Sequence, residues 1–331
     1  MTRPSEDDLI ARYFAPIAGP GALELKDDAA LITPPPGHDL VITTDALVAG
    51  GHFFVDDPPR AISRKALRVN LSDLAAKGAA PLGILLALAL PPDWTPDWLA
   101  EFAAGLGEDA AAYRCPLLGG DTVKTPGPLT ISITALGCVP NGAMVRRTGV
   151  RPGDHLFVTG TIGDAALGLR LRLAAAEDAA WRAALSEHAR KFLELRYLLP
   201  QPRLALAPVL RAFAHGAMDV SDGLIGDLTK MLRVSGVGAA VDLSRVPLSS
   251  AARAAVAARA DLFEAALTGG DDYEIICAVP PEFSARFASG AAAAGVVAAR
   301  IGEALPLAAG VTFIGRDGAP KNFERGSFSH F

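Results

Sequence analysis

Five short segments of the chain carry carboxylates, in four of them beside glycine or hydroxyl residues, and these are the residues best suited to chemistry. The first is Gly119-Gly120-Asp121-Thr122, which follows an apolar pair. Glycine permits sharp turns and close approach of a ligand to the backbone, so this segment predicts a strand end that presents a carboxylate and a hydroxyl. Taken singly, each segment is also typical of a solvated turn or a helix cap. The other four are Lys26-Asp27-Asp28, Thr43-Thr44-Asp45, Met218-Asp219-Val220-Ser221-Asp222-Gly223 and Thr268-Gly269-Gly270-Asp271-Asp272.

The number of carboxylates decides which chemistry a common site would support. The aspartates at predicted element ends or on a polar helix face are Asp28, Asp45, Asp73, Asp121, Asp219 and Asp222. Two bare carboxylates about 4 Å apart repel by roughly 4 kcal/mol at an effective dielectric near 20. One convergent pair would suit acid–base or glycosidase chemistry, whereas this larger set would need compensating cations. Because Mg²⁺ binds through a few carboxylates and substrate phosphates, convergence of these residues predicts a site for a magnesium nucleotide.

Several other kinds of site are excluded. No lysine follows a glycine, so the chain has no P-loop. The segment Gly105-Leu106-Gly107 resembles part of a dinucleotide fingerprint, but it lies within a helical pattern and not between a strand and a helix. The cysteines at 115, 138 and 277 are too far apart for a zinc cluster, and Cys138 and Cys277 lie in strand-like runs that predict buried free thiols. The net charge of −5 and the pI near 5.7 argue against a nucleic-acid partner.

Length and pattern predict two mixed domains. The chain has 331 residues, of which 50% are hydrophobic, and this is enough for two domains of ordinary size. Strands and helices occur in both halves, which predicts an α+β fold, and proline and glycine at residues 150–154 predict a boundary near residue 150. The start of the chain lacks the layout of a signal peptide and no apolar run has membrane length. We therefore expect a soluble cytoplasmic protein without a membrane partner.

Two helix predictions bear on the candidate site. Apolar spacing predicts a helix over residues 59–77, in which Asn70, Asp73 and Lys77 share the polar face. On the helix pattern alone we expect that face to be solvated. Ser221 fits the N-cap of a later helix, with Asp222 in its first turn. Such a cap would be a sufficient structural reason for the serine.

Seven motifs, taken in their order along the chain, resemble those of thiamine-monophosphate kinases. They begin at residue 27 and end at residue 274, so the resemblance covers nearly the whole chain. The family belongs to a superfamily with aminoimidazole ribonucleotide synthetase, selenophosphate synthetase and a hydrogenase maturation protein. The motifs are Asp-Asp-x-Ala-Leu, Thr-Thr-Asp-x-Leu-Val-x-x-x-His-Phe, Lys-Ala-Leu-x-Val-Asn-Leu-Ser-Asp-Leu-Ala-Ala-x-Gly-Ala, Gly-Gly-Asp-Thr, Arg-Thr-Gly-x-x-Pro-Gly-Asp, Asp-Val-Ser-Asp-Gly-Leu and Gly-Gly-Asp-Asp-Tyr-Glu.

The resemblance implies a fold and a reaction. The fold would be the α+β, two-domain aminoimidazole ribonucleotide synthetase-like fold. Residues 1–150 would form an N-terminal α/β sandwich half that binds ATP and Mg²⁺ and pairs with a second copy into a dimeric barrel. Residues 151–331 would form a C-terminal α/β domain that completes the active site. The reaction would convert ATP and thiamine monophosphate to ADP and thiamine diphosphate by direct in-line transfer, assisted by several Mg²⁺ ions.

The resemblance also implies roles for individual residues. Catalysis would depend on Asp45, Asp121, Asp222 and Arg147. His52, Asp271 and Phe328 would face the thiamine substrate, with Phe323 as the competing match for Phe328. The metal ligands would be Asp28, Thr44, Asp45, Asp73, Asp121, Asp219 and Asp222. The nucleotide would be bound by Asp28, Thr43, Thr44, Tyr113, Gly120, Asp121, Arg147 and Ser221.

The chain departs from the family pattern at two positions. Lys26 precedes the Asp-Asp pair where many relatives have glycine, and Asp271 stands where many have glutamate. A selenophosphate synthetase would carry a reactive cysteine in an N-terminal glycine-rich segment, and the hydrogenase maturation protein would end in a cysteine. The context of Thr43-Thr44-Asp45 and His52 favour the kinase over aminoimidazole ribonucleotide synthetase. A regulatory protein that keeps the site without catalysis is disfavoured because the aspartates are intact.

Overall fold

The computed structural model describes residues 5–323 and 326–327, which form two compact units. The first unit comprises residues 5–74 and 79–143. The second comprises residues 75–78, 144–323 and 326–327. Each unit combines one sheet with several helices, so the α+β prediction is confirmed.

The first unit is built on a four-stranded sheet. Its strands are β1 (His38–Val48), β2 (Ala80–Leu90), β3 (Leu117–Lys124) and β4 (Thr130–Pro140). The order across the sheet is β1-β4-β2-β3, in which β4 runs antiparallel to both neighbours and β3 runs parallel to β2. The sheet therefore has β1 and β3 as its two edges.

One face of this sheet is buried and the other is open. Successive side chains of a strand point to opposite faces, and alternate residues of the two central strands are buried, namely Leu86, Leu88, Ile131, Ile133 and Ala135. The open face carries Leu40 and Ile42 on β1 and Leu85 on β2, which are 46%, 61% and 38% exposed. Exposed apolar side chains that lie together in this way are typical of a surface that binds another protein.

The helices of the first unit are α1 (Glu6–Leu9), α2 (Pro59–Ala76) and α3 (Pro96–Ala112). A π-helical turn at Ile10–Phe14 and 3-10 turns at Ala15–Ile17 and Pro20–Leu25 precede the sheet. The Thr95 side chain caps α3 by accepting the amide of Trp98. A side chain on Gly105 would lie 2.7 Å from the Arg60 backbone, so this glycine allows α2 and α3 to pack closely. Gly105 therefore lies inside a helix, as predicted, and has a packing reason there.

The second unit is built on a seven-stranded sheet. The order is β11-β10-β7-β9-β5-β8-β6, and only the pair of β10 and β7 is parallel. Its strands are β5 (His155–Thr159), β6 (Gly216–Asp219), β7 (Val237–Asp242), β8 (Ile275–Val279), β9 (Ala298–Pro306), β10 (Val311–Ile314) and β11 (Pro320–Lys321). Its helices are α4 (Asp164–Leu173), α5 (Ala179–Ala184), α6 (Glu187–Leu198), α7 (Ala207–Phe213), α8 (Leu224–Ser235), α9 (Ser250–Ala258), α10 (Leu262–Thr268) and α11 (Ser284–Ala293).

Helices cover both faces of this second sheet. Leu156 and Val158 of β5 belong to a core that includes residues of α4 and α8, whereas Phe157 between them packs with residues of α7 and α11. Strands that are buried on both faces read as continuous apolar runs, which explains why β8 is apolar throughout. The polar residues next to β8 therefore precede the strand, as Asp272 and Glu274 do.

Three further observations complete the fold. Within the described ranges, no helix has the length and hydropathy that crossing a bilayer requires. Cys115, Cys138 and Cys277 are free and buried, as predicted for the last two. Burial raises the pKa of the Cys115 thiol to about 12, so it stays protonated at neutral pH.

Candidate active site

The first unit contains an acidic cavity of about 770 Å³. Asp27 and Asp28 line it from the segment before β1, and Gly120 and Asp121 line it from β3. Neither the Asp28 nor the Asp121 side chain forms a hydrogen bond or ion pair with any residue that the structure describes, and both residues are exposed. The structure thus brings together two of the carboxylates predicted from the sequence. Their charges are available to a ligand.

The segment that carries Asp27 and Asp28 has an unusual backbone. Leu31 donates its amide to the carbonyl of Gly21 at 2.8 Å and closes the loop. Within the loop Leu23, Glu24 and Leu25 adopt left-handed φ angles of 50°, 60° and 55°. This conformation is unfavourable for residues with a side chain, and such strain is typically found near functional sites.

Gly119 and Gly120 lie inside β3, so the prediction that they form a turn at a strand end is wrong. A side chain on Gly120 would lie 1.8 Å from the carbonyl oxygen of Leu86 on the neighbouring strand. The glycine therefore allows β3 to pack against β2. Asp121 is consequently presented from the face of a strand that continues to Lys124.

The polar residues of β1 also lie within a strand, and they alternate between its two faces. The Thr43 hydroxyl donates to Asp73 at 2.5 Å, and the amide of Asp45 donates to the Asn70 side chain at 3.1 Å. Thr44 lies on the opposite face, where its hydroxyl donates to the carbonyl of Ile133 at 3.1 Å. The structure therefore groups Thr43, Asp45 and Asp73 and separates Thr44 from them.

The polar face of α2 is not solvated, which corrects the expectation from its helix pattern. Asn70 is fully buried, and its amide group donates to the carbonyl of Ala66 at 3.0 Å. Asp73 is half-buried against β1. Lys77 follows the helix and donates to the carbonyl of Ala217 within the second unit. Two of the three polar residues, Asn70 and Asp73, thus support β1.

His52 is held in one tautomer. The amide of Val48 donates to Nδ1 of His52 at 3.0 Å, so the ring proton of the neutral imidazole lies on Nε2. Lys65 donates to the carbonyl of His52 at 2.9 Å and fixes the same turn. Nε2 is therefore the ring atom of His52 that carries the N–H donor.

Tyr113 follows α3 as its C-cap residue. The Arg68 guanidinium lies 5.6 Å from the centre of the Tyr113 ring, a cation–π contact. Arg68 also pairs with the buried Asp109. The orientation of the ring is thus supported by a buried ion pair, a feature that the sequence did not indicate.

In the second unit two of the predicted motifs contact each other directly. Asp271 donates its amide to the carbonyl of Ser221, and Tyr273 donates to the carbonyl of Val220, both at 2.8 Å. A side chain on Gly270 would lie 2.3 Å from the Ser221 carbonyl oxygen. The glycine is therefore required for the two segments to meet.

Ser221 does not cap a helix, so that prediction is wrong. Helix α8 begins at Leu224, and Gly223 stands at the N-cap. Asp227 takes the role predicted for Asp222, because its carboxylate accepts the amides of Asp222 and Gly223 at 2.8 and 3.2 Å. With Ser221 and Asp222 outside the helix, no capping reason remains for either side chain.

Asp222 belongs to a small charged cluster. Lys230 pairs with Asp222 at 2.5 Å and with Asp227 at 3.1 Å. Asp219 ends β6 and is buried, whereas Arg147 lies exposed in the 3-10 helix Arg147–Gly149. The second unit therefore provides both buried and accessible charges for the predicted roles.

The last predicted residues are the aromatic candidates near the C-terminus. Phe328 lies outside the described residues. Phe323 packs against the core of the second unit, and its ring meets that of Phe313 edge-on at 5.5 Å between centres. This contact gives Phe323 a structural role.

The residues fit Mg²⁺ better than a metal held by protein alone. Among the described residues no group of three His, Cys, Asp or Glu side chains could hold a metal ion. Mg²⁺ commonly binds through one or two carboxylates, with water and substrate phosphates as the other ligands. The pair of unpartnered oxygen donors, Asp28 and Asp121, suits that arrangement.

Sequence comparison identifies the class of protein that carries this site. Residues 26–139 match the family described as AIR synthase related protein, N-terminal domain, and residues 151–312 match the corresponding C-terminal domain. The chain is an AIR synthase related protein with both domains of that family. It is 45% identical over 305 residues to the thiamine-monophosphate kinase of Caulobacter vibrioides, which covers 91% of this chain and 84% of the relative. The chain belongs to the thiamine-monophosphate kinase family, as its motifs predict.

Solved structures agree with this assignment. The thiamine-monophosphate kinase from Stenotrophomonas maltophilia is 40% identical, with a TM-score of 0.79 and coverage of 90% of this chain and 91% of that one. A structure of AaThiL complexed with AMPPCP and TMP is 31% identical, with a TM-score of 0.78 and coverage of 92% and 91%. The two-domain AIR synthase-like fold is therefore confirmed.

Proposed function

We propose that this chain transfers the γ-phosphoryl group of ATP to thiamine monophosphate and releases ADP and thiamine diphosphate. The observation that carries the proposal is membership of a kinase family in which AaThiL has been captured with AMPPCP and TMP. AMPPCP has a methylene in place of the oxygen between the β- and γ-phosphorus atoms, so it stands in for unreacted ATP. The acidic cavity around Asp28 and Asp121 supports the proposal, because it can recruit the cations that a nucleotide needs.

The proposed transfer needs no general base. The acceptor is a phosphate oxygen, and the second pKa of a phosphomonoester is about 6, so the acceptor is mostly dianionic near neutral pH. One bond forms between this oxygen and the γ-phosphorus, and the bond from the γ-phosphorus to the β–γ bridging oxygen breaks in line with it. The departing group is ADP and no proton is removed. The main obstacle is repulsion between two polyanions.

Positive charges at the site, from bound Mg²⁺ and from Arg147, are proposed to lower that repulsion. Mg²⁺, when bound, neutralises phosphate charge and helps to align the reacting groups. The exposed guanidinium of Arg147 adds a fixed positive charge for the nucleotide. The proposed nucleotide contacts also include Thr43, Tyr113, Gly120 and Ser221. The residues proposed to hold the metal ions are Asp28, Thr44, Asp45, Asp73, Asp121, Asp219 and Asp222.

Two described residues are proposed to recognise thiamine monophosphate. His52 would donate from Nε2 to the substrate phosphate, since its Nδ1 already accepts the amide of Val48. Asp271 would accept from the amino group of the pyrimidine, which is a hydrogen-bond donor. The proposed stacking residue, Phe328, lies outside the described part of the chain.

We also propose that the chain is a homodimer in the cytoplasm and that residues 1–150 supply the dimer contact. The open face of the first sheet supports this, because Leu40, Ile42 and Leu85 leave apolar surface exposed. The free buried cysteines suit a compartment that keeps thiols reduced. Analytical ultracentrifugation of wild type and Ile42→Glu tests the interface, since a charge on this face should shift the protein toward the monomer. An unchanged association state would rule out this face as the interface.

The reaction is tested by mixing the purified protein with Mg-ATP and thiamine monophosphate and following the products by phosphorus NMR. We expect signals of a diphosphate ester and of ADP to grow together. Omitting thiamine monophosphate should leave ATP intact. ADP with inorganic phosphate alone, or no reaction, would reject the proposed activity.

A further inference from the structure

The segment Asp271-Asp272-Tyr273-Glu274 alternates between residues that face inward and residues that do not. Asp272 and Glu274 are 1% and 0% exposed, whereas Asp271 and Tyr273 are partly exposed. The two partly exposed residues have left-handed φ angles of 72° and 51°. Residues in such conformations persist only where the surrounding structure holds them. The inward pair is therefore well placed to hold the outward pair.

Glu274 is the more heavily bonded of the two inward residues. Its carboxylate accepts the Thr159 hydroxyl at 2.8 Å, Arg196 Nη2 at 3.0 Å and Arg203 Nε at 2.7 Å, with a second contact from Arg203 Nη2. A side chain on Gly160 would lie 2.1 Å from this carboxylate, so the backbone packs directly on it. One buried carboxylate is thus fixed by two guanidinium groups.

Asp272 anchors the same segment to a different element. Its carboxylate accepts the amide of Gly163 at 2.7 Å, at the start of α4. The segment also pairs with the Asp219–Gly223 motif through the amides of Asp271 and Tyr273. The orientation of Asp271 is consequently determined from both sides, by buried anchors and by the backbone of a second motif.

We propose that Arg203 and Arg196 are positioning residues that, through Glu274, set Asp271 in the orientation that recognises thiamine monophosphate. This inference rests on the proposed function only for the identity of the ligand. The planar fork of arginine matches a carboxylate in two places, which the single ammonium of lysine does not. Arg203, which uses both Nε and Nη2, is the residue in which this geometry can be tested.

The chain offers a matched control for removal of Arg203. Asp178 is also buried and also pairs with two arginines, Arg170 and Arg259. Arg170 contacts it through Nε and Nη2, at 3.0 and 2.7 Å. Arg170→Met therefore removes the same kind of bond from the same unit, at a carboxylate other than Glu274.

The first measurement is hydrogen exchange at the amides of Asp271 and Tyr273, which requires no activity. In Arg203→Met we expect exchange at both amides to rise about tenfold or more, because their opening becomes easier. Arg170→Met should leave both rates near those of wild type, although it also loses a buried ion pair. Arg203→Lys keeps the charge and should give an intermediate rate. Equal rates in Arg203→Met and Arg170→Met would overturn the proposal.

The second measurement is steady-state kinetics of the same variants. Arg203→Met should raise the KM for thiamine monophosphate about fivefold to tenfold with little change in the KM for ATP. Arg170→Met should change neither constant. An equal rise in both constants would mean that Arg203 supports the fold in general and would also overturn the proposal. If the wild type fails to phosphorylate thiamine monophosphate, the proposed function fails, while the exchange experiment still tests the positioning.

Discussion

Two carboxylates of the first unit, Asp28 and Asp121, and one of the second, Glu274, differ in what surrounds them. Asp28 and Asp121 line an open cavity and pair with no residue in the described part of the chain. Glu274 is completely buried and accepts bonds from two arginines and a threonine. The same functional group thus occurs in two opposite settings.

This difference separates charge that serves the fold from charge that is available to a ligand. A buried carboxylate with bound partners has exchanged its hydration for fixed hydrogen bonds, so removing its charge leaves the partners unsatisfied. An exposed carboxylate without partners costs the fold little when it is neutralised. We therefore expect mutations in the two settings to affect stability and activity in opposite proportions.

The largest effect should come from removing the buried charge. Glu274→Gln leaves Arg196 and Arg203 without their carboxylate and should lower the free energy of unfolding by about 3–5 kcal/mol. Urea unfolding measures the loss. Glu264→Gln is the control, because Glu264 and Lys321 are 46% and 44% exposed and pair at 3.7 Å, and such surface pairs contribute about 1 kcal/mol at most. Similar losses in the two variants would remove the distinction between buried and exposed carboxylates.

The complementary effect should come from Asp121→Asn. This change keeps the shape of an exposed side chain but removes a charge proposed for the metal site, and kcat should fall by about 100-fold or more. The free energy of unfolding should stay within about 0.5 kcal/mol of wild type. ADP release and urea unfolding give the two values.

Asp93→Asn provides the control for that experiment, because Asp93 is another exposed aspartate of the same unit. It should match wild type in both measurements. Near-normal turnover of Asp121→Asn would contradict the role of the cavity. A large loss of stability would instead show that Asp121 serves the fold.

The sequence predicted those parts of the molecule that depend on local patterns. Helix α2 was expected at residues 59–77 and spans Pro59–Ala76, because its apolar residues recur at helical spacing. The motifs around Ser221 and Asp271 were expected to contribute to one site, and the structure shows that the two segments contact each other directly. Family motifs identified the class correctly.

The sequence failed where a distant residue determines the local structure. The glycines at 119 and 120 are typical of a turn, yet Gly120 is required by the carbonyl of Leu86 on another strand. Asp73 was read as part of a solvated face, but Thr43 donates to it from β1. Glu274 was recognised only as part of a motif, since its two arginine partners lie far from it in sequence. Contacts of this kind have no local signal.

A smaller effect should be the pH dependence that the buried Asp272 gives to the stability of the protein. Burial raises the pKa of Asp272 well above its ordinary value, despite the bond from the Gly163 amide. The folded protein therefore holds this proton at pH values where the unfolded chain, with a pKa of about 3.9, has lost it. This contribution to stability is complete below the unfolded pKa and is lost as the pH rises through the folded pKa. Urea unfolding of wild type and Asp272→Asn at several pH values should show wild type losing stability relative to the variant as pH rises. If the stability of wild type relative to Asp272→Asn stays constant or increases as the pH rises, the raised pKa of Asp272 is contradicted.

The smallest effect concerns the backbone that carries Asp27 and Asp28 into the cavity. Glu24 has a left-handed φ of 60° and its side chain is 76% exposed, so no buried anchor of the kind seen at Glu274 holds it. Glycine adopts this conformation without steric conflict, and Glu24→Gly should raise the melting temperature by about 1–3 °C. Glu282→Gly is the control, because Glu282 lies in the 3-10 helix Pro281–Phe283 without a positive φ, and it should lower the melting temperature. A decrease in both variants would mean that the fold does not bear the expected strain at Glu24.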